Sequence, residues 1–238
     1  MKTVNDLKVK LFADGADRQT MLDMAAKPFI KGLTTNPTLM RVAGVSDYPA
    51  FAKDILRSIT DKPISFEVFS DDFDEMEKQA LEIASWGTNV FVKIPVTNTK
   101  GEEATNLIAR LAGQSVQLNV TAILTLDQVK NVVASLRSEI PSFVSVFAGR
   151  IADTGRDPVP MMAQAVEMLR PLEKSELIWA SPRELLNIFQ ADEVGCHVIT
   201  ATSDVLKKLE LVGKDLADYS LDTVKMFYRD AQAAGYSL

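Results

Sequence analysis

Short apolar runs rich in β-branched and aromatic residues alternate along the chain with stretches whose apolar positions recur every three or four residues. The first pattern predicts strands and the second helices. Strands are expected over residues 9–14, 29–34, 65–69, 89–97, 116–124, 143–151, 176–180 and 198–201. Helix signals fill the gaps. Residues 17–26 form one, stopped by Pro28, and Ser46-Asp47-Tyr48-Pro49 opens another with Phe51, Ile55 and Ile59 on one face. Residues 72–86 run to Gly87 and 102–112 to Gly113. Thr125 with Gln128 makes a capping box ahead of Val129, Val132, Val133 and Leu136. Asp157-Pro158 starts a helix rich in methionine and alanine, and Ser181-Pro182-Arg183-Glu184 reads as a cap, a proline at the first helical position and a glutamate at the third. A helix over 203–211 follows the last strand, and an extra amphipathic one spans 220–234.

Eight strand–helix units in a chain of 238 residues predict an α/β protein: a single (β/α)₈ TIM barrel domain over 1–238 with an additional C-terminal helix. A doubly wound open sheet is the alternative. Neither a Gly-x-Gly-x-x-Gly nor a Gly-x-x-x-x-Gly-Lys motif follows a strand, so nucleotide-binding folds lose support. The repetition is of the unit, not of the sequence.

Within the fourth strand, Asn89-Val90-Phe91-Val92-Lys93-Ile94-Pro95-Val96-Thr97, a lysine interrupts a run that is apolar on both parities. An unpaired buried ammonium is costly and is usually relieved by loss of its proton, and a neutral buried amine is what Schiff-base chemistry requires. The competing reading is a lysine at a strand end with its head in water.

Composition narrows the chemistry. The chain is 47% hydrophobic and 24% charged, with a net charge of −6, which opposes non-specific nucleic-acid binding. One cysteine, Cys196, rules out an internal disulfide framework, and one histidine, His197, removes most metal sites and Ser-His-Asp chemistry. Both open a predicted strand and read as structural. No cofactor is called for. No apolar stretch suffices to span a bilayer, and Met1-Lys2-Thr3-Val4-Asn5-Asp6 lacks the apolar run of a signal peptide, so a cytoplasmic protein is expected.

In a barrel, chemistry sits at the C-terminal ends of the strands. Those ends carry Asp14, Thr34 and Asn36, Glu67, Lys93, Asn119 and Thr121, Ser145 and Arg150, then Ser181 and Arg183, while strand eight offers only the hydroxyls of Thr200 and Thr202. Several have plain structural readings: Asp14 before Gly15 as a turn, Asn36-Pro37 as punctuation, Ser181 as a helix cap, Arg150 as a salt-bridge partner. Glu67 among Phe66, Val68 and Phe69 needs a partner or a proton. Lys100 and Arg156 on nearby loops are weaker candidates.

Gly32-Leu33-Thr34-Thr35-Asn36-Pro37-Thr38 together with Val92-Lys93-Ile94-Pro95-Val96-Thr97 resembles the transaldolase family, which includes the fructose-6-phosphate aldolases. The resemblance runs from Asp14 to about Thr202. It implies a class I aldolase barrel with Lys93 as the Schiff-base lysine, Asp14 as general acid/base, and Glu67 with Thr121 holding a catalytic water. It further implies Thr34, Asn36, Asn119 and Ser145 at substrate hydroxyls, and Arg150, Ser181 and Arg183 at a phosphate. Glu67 and Phe147 stand where the aldolase branch carries glutamine and tyrosine, which makes the chain look like a transaldolase moving a three-carbon dihydroxyacetone unit between sugar phosphates. Pro182 replaces the aromatic usual between Ser181 and Arg183, and the length is nearer the aldolase branch. An aldolase releasing free dihydroxyacetone and an idle sugar-phosphate-binding barrel are the alternatives. Sugar phosphates are the expected partners, without nucleic acid or membrane. The C-terminal helix, with Leu221, Val224, Phe227 and Tyr228, is expected to pack on its own barrel or to build a homo-oligomer.

Overall fold

The computed structural model describes residues 3–236; residues 1, 2, 237 and 238, which the single-domain expectation also spans, lie outside them. Among the described residues, eight parallel strands close into a barrel in chain order. They are β1 (Lys10–Asp14), β2 (Ile30–Thr34), β3 (Ile64–Glu67), β4 (Val90–Pro95), β5 (Leu118–Ile123), β6 (Ser142–Val146), β7 (Ser175–Trp179) and β8 (Val198–Thr202). Around them run α1 (Arg18–Ala25), α2 (Pro37–Val42), α3 (Tyr48–Ser58), α4 (Phe73–Ala84), α5 (Thr105–Gly113) and α6 (Leu126–Ser135). α7 (Ala148–Asp153), α8 (Val159–Leu169), α9 (Leu186–Glu193), α10 (Ser203–Lys207) and α11 (Leu216–Ala234) follow. The (β/α)₈ expectation holds, with the extra helix. No helix among the described residues is long and apolar enough to cross a membrane.

Strand parity sets what each residue faces, because successive side chains point to opposite sides of the sheet. One parity faces the helices. Leu11, Leu33, Phe66, Val92, Ile94, Leu118, Val144, Leu177, Trp179 and Ile199 join the main core between sheet and helices. The other parity faces the barrel axis, where Phe12, Phe91, Phe143, Ile178 and Val198 form a separate apolar cluster. Phe12 meets Phe143 edge-on with ring centroids 5.5 Å apart, and Phe91 lies 4.3 Å from Phe143. Gly32 makes room for this plug, since a Cβ there would fall 2.5 Å from the Phe12 ring. Two residues further along stand Asp14, Lys93, Ser145 and Thr200, while Ala180, just past β7, belongs to the apolar cluster. An apolar plug therefore floors a polar layer, and both follow from one parity.

Several local expectations change. The strand predicted over 143–151 ends at Val146, and Arg150 sits in α7 instead. The cause is a long-range approach: a Cβ at Gly149 would lie 1.5 Å from the Ser181 carbonyl oxygen, so the chain turns into a helix where only glycine fits. Ser181 does not cap a helix. It has φ +57°, α9 begins only at Leu186, and the Asn187 carboxamide oxygen accepts the N–H groups of Arg183 and Glu184. Asn36 is more than punctuation, for its carboxamide oxygen accepts the Leu39 N–H at 2.9 Å and Pro37 starts α2. The helix after β8 ends at Lys207, with a 3₁₀ turn from Lys208–Leu211.

The C-terminal helix begins at Leu216, capped by Asp215, earlier than the residue 220 expected. It buries none of its residues, and Leu221, Val224, Phe227 and Tyr228 are exposed. Cys196 and His197 are structural. Cys196 is buried, and the His197 Nδ1 accepts the Leu177 N–H at 3.0 Å.

Candidate active site

A cavity of about 460 Å³ opens at the C-terminal ends of the strands. It falls in the range of small-molecule sites. Asp14, Thr34, Asn36, Glu67, Lys93, Asn119, Thr121, Ser145, Phe147, Arg150 and Ser181 all line it. Of the twelve positions expected from sequence, Arg183 alone does not.

Lys93 is 6% exposed and stands at the centre of the polar layer. Its neighbours in register are Glu67 on β3 and Asn119 on β5, so three polar side chains come side by side on adjacent strands. The lysine is not unpaired, as the strand alone suggested. Its Nζ lies 3.1 Å from Glu67 Oε2 and donates to the Thr35 carbonyl at 2.8 Å. Glu67 thereby finds the partner its apolar flanks demanded.

Across the cavity, the Thr34 hydroxyl donates to Asp14 Oδ1 at 2.8 Å and lies 2.6 Å from the Thr200 hydroxyl. A hydroxyl has one proton to give. When Thr34 gives it to Asp14, Thr200 is the donor to Thr34, and the row is oriented toward the carboxylate. Burial pushes the Asp14 carboxyl above the ordinary aspartate range; the nearby Lys93 and the Thr34 hydrogen bond pull the other way but do not prevail. Thr200 is the residue of this row that the strand-end reading set aside, and its parity with Val198 was the available signal.

A second row lies under the cavity. The Ser145 hydroxyl donates to Asn119 Oδ1 at 2.7 Å, and the Asn119 amide donates to the Ser65 hydroxyl at 2.9 Å. Asn119 is fully buried, so these bonds fix its carboxamide. Thr121 differs: its hydroxyl is buried and has no hydrogen-bond partner in the protein, although it lines the cavity. Beside it Ala122 takes φ +62°, where the register of β5 on β6 shifts.

At the outer end, the Arg150 guanidinium stacks over the Phe147 ring at 5.4 Å and faces the cavity. Arg183 turns instead to Asp153 of α7, its Nε 3.0 Å from Oδ1 and its Nη2 against Oδ2. Lys100 and Arg156 do not line the cavity. Among the described residues no group of three or more His, Cys, Asp or Glu side chains is placed to hold a metal ion.

The arrangement offers a buried amine, a carboxylate in contact with it, a second carboxyl with a raised pKa, and a guanidinium at the open end. Comparison with known proteins places the chain in a family. The family model described as transaldolase/fructose-6-phosphate aldolase matches residues 11–238. A probable transaldolase of Thermoanaerobacter sp. (strain X514) is 32% identical over 224 residues, covering 94% of this chain and 98% of the relative. A probable transaldolase of Dehalococcoides mccartyi is 31% identical over 202 residues, 84% of this chain and 90% of the relative. Probable transaldolase 2 of Listeria monocytogenes is 31% identical over 202 residues, 84% and 88% of the two chains. Barrel, motifs and relatives converge, and the chain belongs to the transaldolase/fructose-6-phosphate aldolase family.

Proposed function

We infer that the protein is a transaldolase working through a Schiff base on Lys93, in pentose-phosphate-type carbohydrate metabolism in the cytoplasm. The observation that carries this reading is the buried Lys93 amine in contact with Glu67 at the floor of a polar cavity. In the scheme, Lys93 gives up a proton to Glu67 and attacks C2 of a ketose phosphate such as fructose 6-phosphate or sedoheptulose 7-phosphate. The C2 oxygen takes two protons, relayed by Glu67 and a water held by the Thr121 hydroxyl, and leaves as water. The iminium nitrogen keeps one proton and draws the electron pair as the C3–C4 bond breaks. Asp14 takes the proton of the C4 hydroxyl, and an aldose phosphate departs. A dihydroxyacetone enamine stays on Lys93. It attacks the acceptor aldehyde, whose oxygen takes the Asp14 proton, and water then frees the product. A well-placed proton carrier is worth about 10²–10⁴ in rate, so Glu67 and Asp14 each contribute substantially.

Asp14 suits its role because its raised pKa brings it nearer to balance with the groups it serves. Phe147 favours transfer over release, since a phenyl ring brings no hydroxyl to protonate the enamine carbon. Arg150 holds the phosphate at the cavity mouth, and Arg183 joins it on leaving Asp153. On the protein side, α11 is assigned to a second copy of this chain. A lone helix is marginal in water, and nineteen residues with an apolar stripe and nothing buried call for cover.

Fructose 6-phosphate supplied with and without erythrose 4-phosphate, with products read by mass spectrometry, tests the reaction. A seven-carbon ketose phosphate formed only with the acceptor is expected. Free dihydroxyacetone accumulating without it would support the aldolase reading, and no product from any ketose phosphate would remove both.

A further inference from the structure

β2 and β3 diverge just before the active site, and the gap is filled by a side chain from outside the sheet. The two strands pair at Leu33 with Ile64 and Thr34 with Ser65, and the Thr35 N–H donates to the Ser65 carbonyl. In a parallel ladder the next rung would bind the Glu67 N–H to the Thr35 carbonyl, and the N–H of residue 37 to the Glu67 carbonyl. Residue 37 is a proline and has no N–H to give. The Thr35 carbonyl turns to Lys93 instead, accepting from its Nζ at 2.8 Å, and the Glu67 N–H does not bind it. Both main-chain groups of Glu67 on this side would be left without partners, which is costly at a half-buried position.

Tyr48 satisfies both. Its hydroxyl accepts the Glu67 N–H at 2.8 Å and donates to the Glu67 carbonyl at 2.9 Å. One oxygen atom thus stands in for the missing strand. The ring is delivered from the first turn of α3, where Asp47 caps the helix. It is held by Phe66 and Phe69, which it meets edge-on at 6.3 and 5.7 Å, and by Trp86 at 6.0 Å. Burial pushes the phenol well above its ordinary pKa, so it stays able to donate across the working range.

We propose that Tyr48 is a positioning residue of the active site, clamping the Glu67 backbone so that its carboxylate stays in contact with Lys93 after β2 has released its carbonyl to that lysine. The exchange is what makes the site: the rung that β2 does not form frees the Thr35 oxygen for Lys93, and Tyr48 repairs the loss at Glu67. Nothing in the local sequence pairs residue 48 with residue 67; the fold does.

The proposal rests on Glu67 serving Schiff-base chemistry at Lys93, and the test separates the two. The rate of borohydride-trapped adduct formation with a ketose phosphate is measured for the unaltered protein, Tyr48→Phe, Glu67→Gln and the double variant. The phenylalanine keeps the ring contacts and removes the hydroxyl, and with it the clamp and the contact to the Thr35 side chain; the Glu67→Gln background tells the two apart. Displacing a proton carrier by about 1 Å costs up to about a hundredfold, so Tyr48→Phe is expected to slow trapping by about tenfold or more, with KM little changed. In the Glu67→Gln background the same change is expected to cost under about twofold, since a residue acting through Glu67 has little left to act on. Equal slowing in both backgrounds, or no slowing in the first, overturns the proposal while adduct formation by the unaltered protein keeps the chemistry. No adduct from the unaltered protein removes the chemistry and the clamp with it. Native-state hydrogen exchange gives a reading that needs no variant. The Glu67 N–H is expected to be protected like its neighbour Val68, whose N–H donates to the Lys93 carbonyl, and loop-like exchange at Glu67 overturns the clamp.

Discussion

Gly149→Ala places one methyl group where the fold allows none. The new Cβ would lie 1.5 Å from the Ser181 oxygen, 2.6 Å from its carbonyl carbon and 3.3 Å from Arg183 Nε. Real Cβ contacts stay beyond 3.0 Å, so the Ser181 carbonyl must retreat by at least about 1.5 Å, and backbone yields less readily than a side-chain tip. Ser181 is already in the left-handed region and tied to α7 through the Gly149 N–H on the Ala180 carbonyl. Overpacking of this kind costs about 1–3 kcal/mol, and a backbone clash belongs at the upper end. A loss of about 2–3 kcal/mol is therefore expected from urea unfolding. The functional effect should be confined to one end of the cavity. Ser181, after β7, lines the cavity with Arg150, whereas Lys93 lies on β4, three strands away around the barrel. A displacement above about 1 Å at a binding group is worth up to about a hundredfold. Hence kcat/KM for a phosphorylated ketose should fall at least about tenfold, while trapping of free dihydroxyacetone on Lys93, which needs only the inner wall, should stay near its original rate. Unchanged stability together with unchanged kcat/KM would refute the reasoning, for it would mean that the Ser181 loop gives way freely and does not shape the phosphate end.

Asp14→Asn should abolish C3–C4 cleavage and yet stabilise the fold at neutral pH. A carboxyl whose native pKa is raised binds protons more readily folded than unfolded, so its charged form costs stability above that pKa and the cost fades as pH falls through it; urea midpoints of the two proteins at pH 7 and in acid give the sign. In the unaltered enzyme the acid limb of kcat/KM, which reports the free protein, should lie above the ordinary aspartate value of about 3.9 for the same reason, and pH–rate profiles measure it. Arg183→Ala should raise KM for phosphorylated ketoses about tenfold with kcat little changed, as loss of a charge-assisted hydrogen bond predicts, and an unchanged KM would leave Arg183 to Asp153 alone. Leu221→Glu combined with Phe227→Glu should shift the mass seen by light scattering toward the monomer without loss of the barrel, and an unaltered mass would remove α11 from any interface.

Much of this was legible in the linear sequence, for reasons that the structure makes plain. The barrel followed from the alternation of strand and helix signals, which is set by local periodicity. Lys93 stood out because it broke an apolar strand, and its inward direction follows from parity with Phe91 in the plug. Asp14, Glu67 and Ser145 were found the same way. What was not legible depends on contacts between distant segments. The run from Phe143 to Ile151 looked like one strand because its residues are apolar, yet it breaks where Gly149 meets Ser181. Ser181-Pro182-Arg183-Glu184 has the composition of a helix start, but the same contact holds Ser181 out of the cap position. Arg183 carries the right charge, and only the placement of α7 shows Asp153 holding it. Tyr48 looked like a piece of a helix opening, and its task appears only where β2 and β3 separate.

The most direct measurement is peptide mapping by mass spectrometry after borohydride reduction of the protein with fructose 6-phosphate. A single three-carbon adduct on Lys93, absent from Lys93→Met, is the result expected. An adduct on another lysine, or sustained turnover by Lys93→Met, would contradict the central claim that this buried strand-four amine forms the Schiff base.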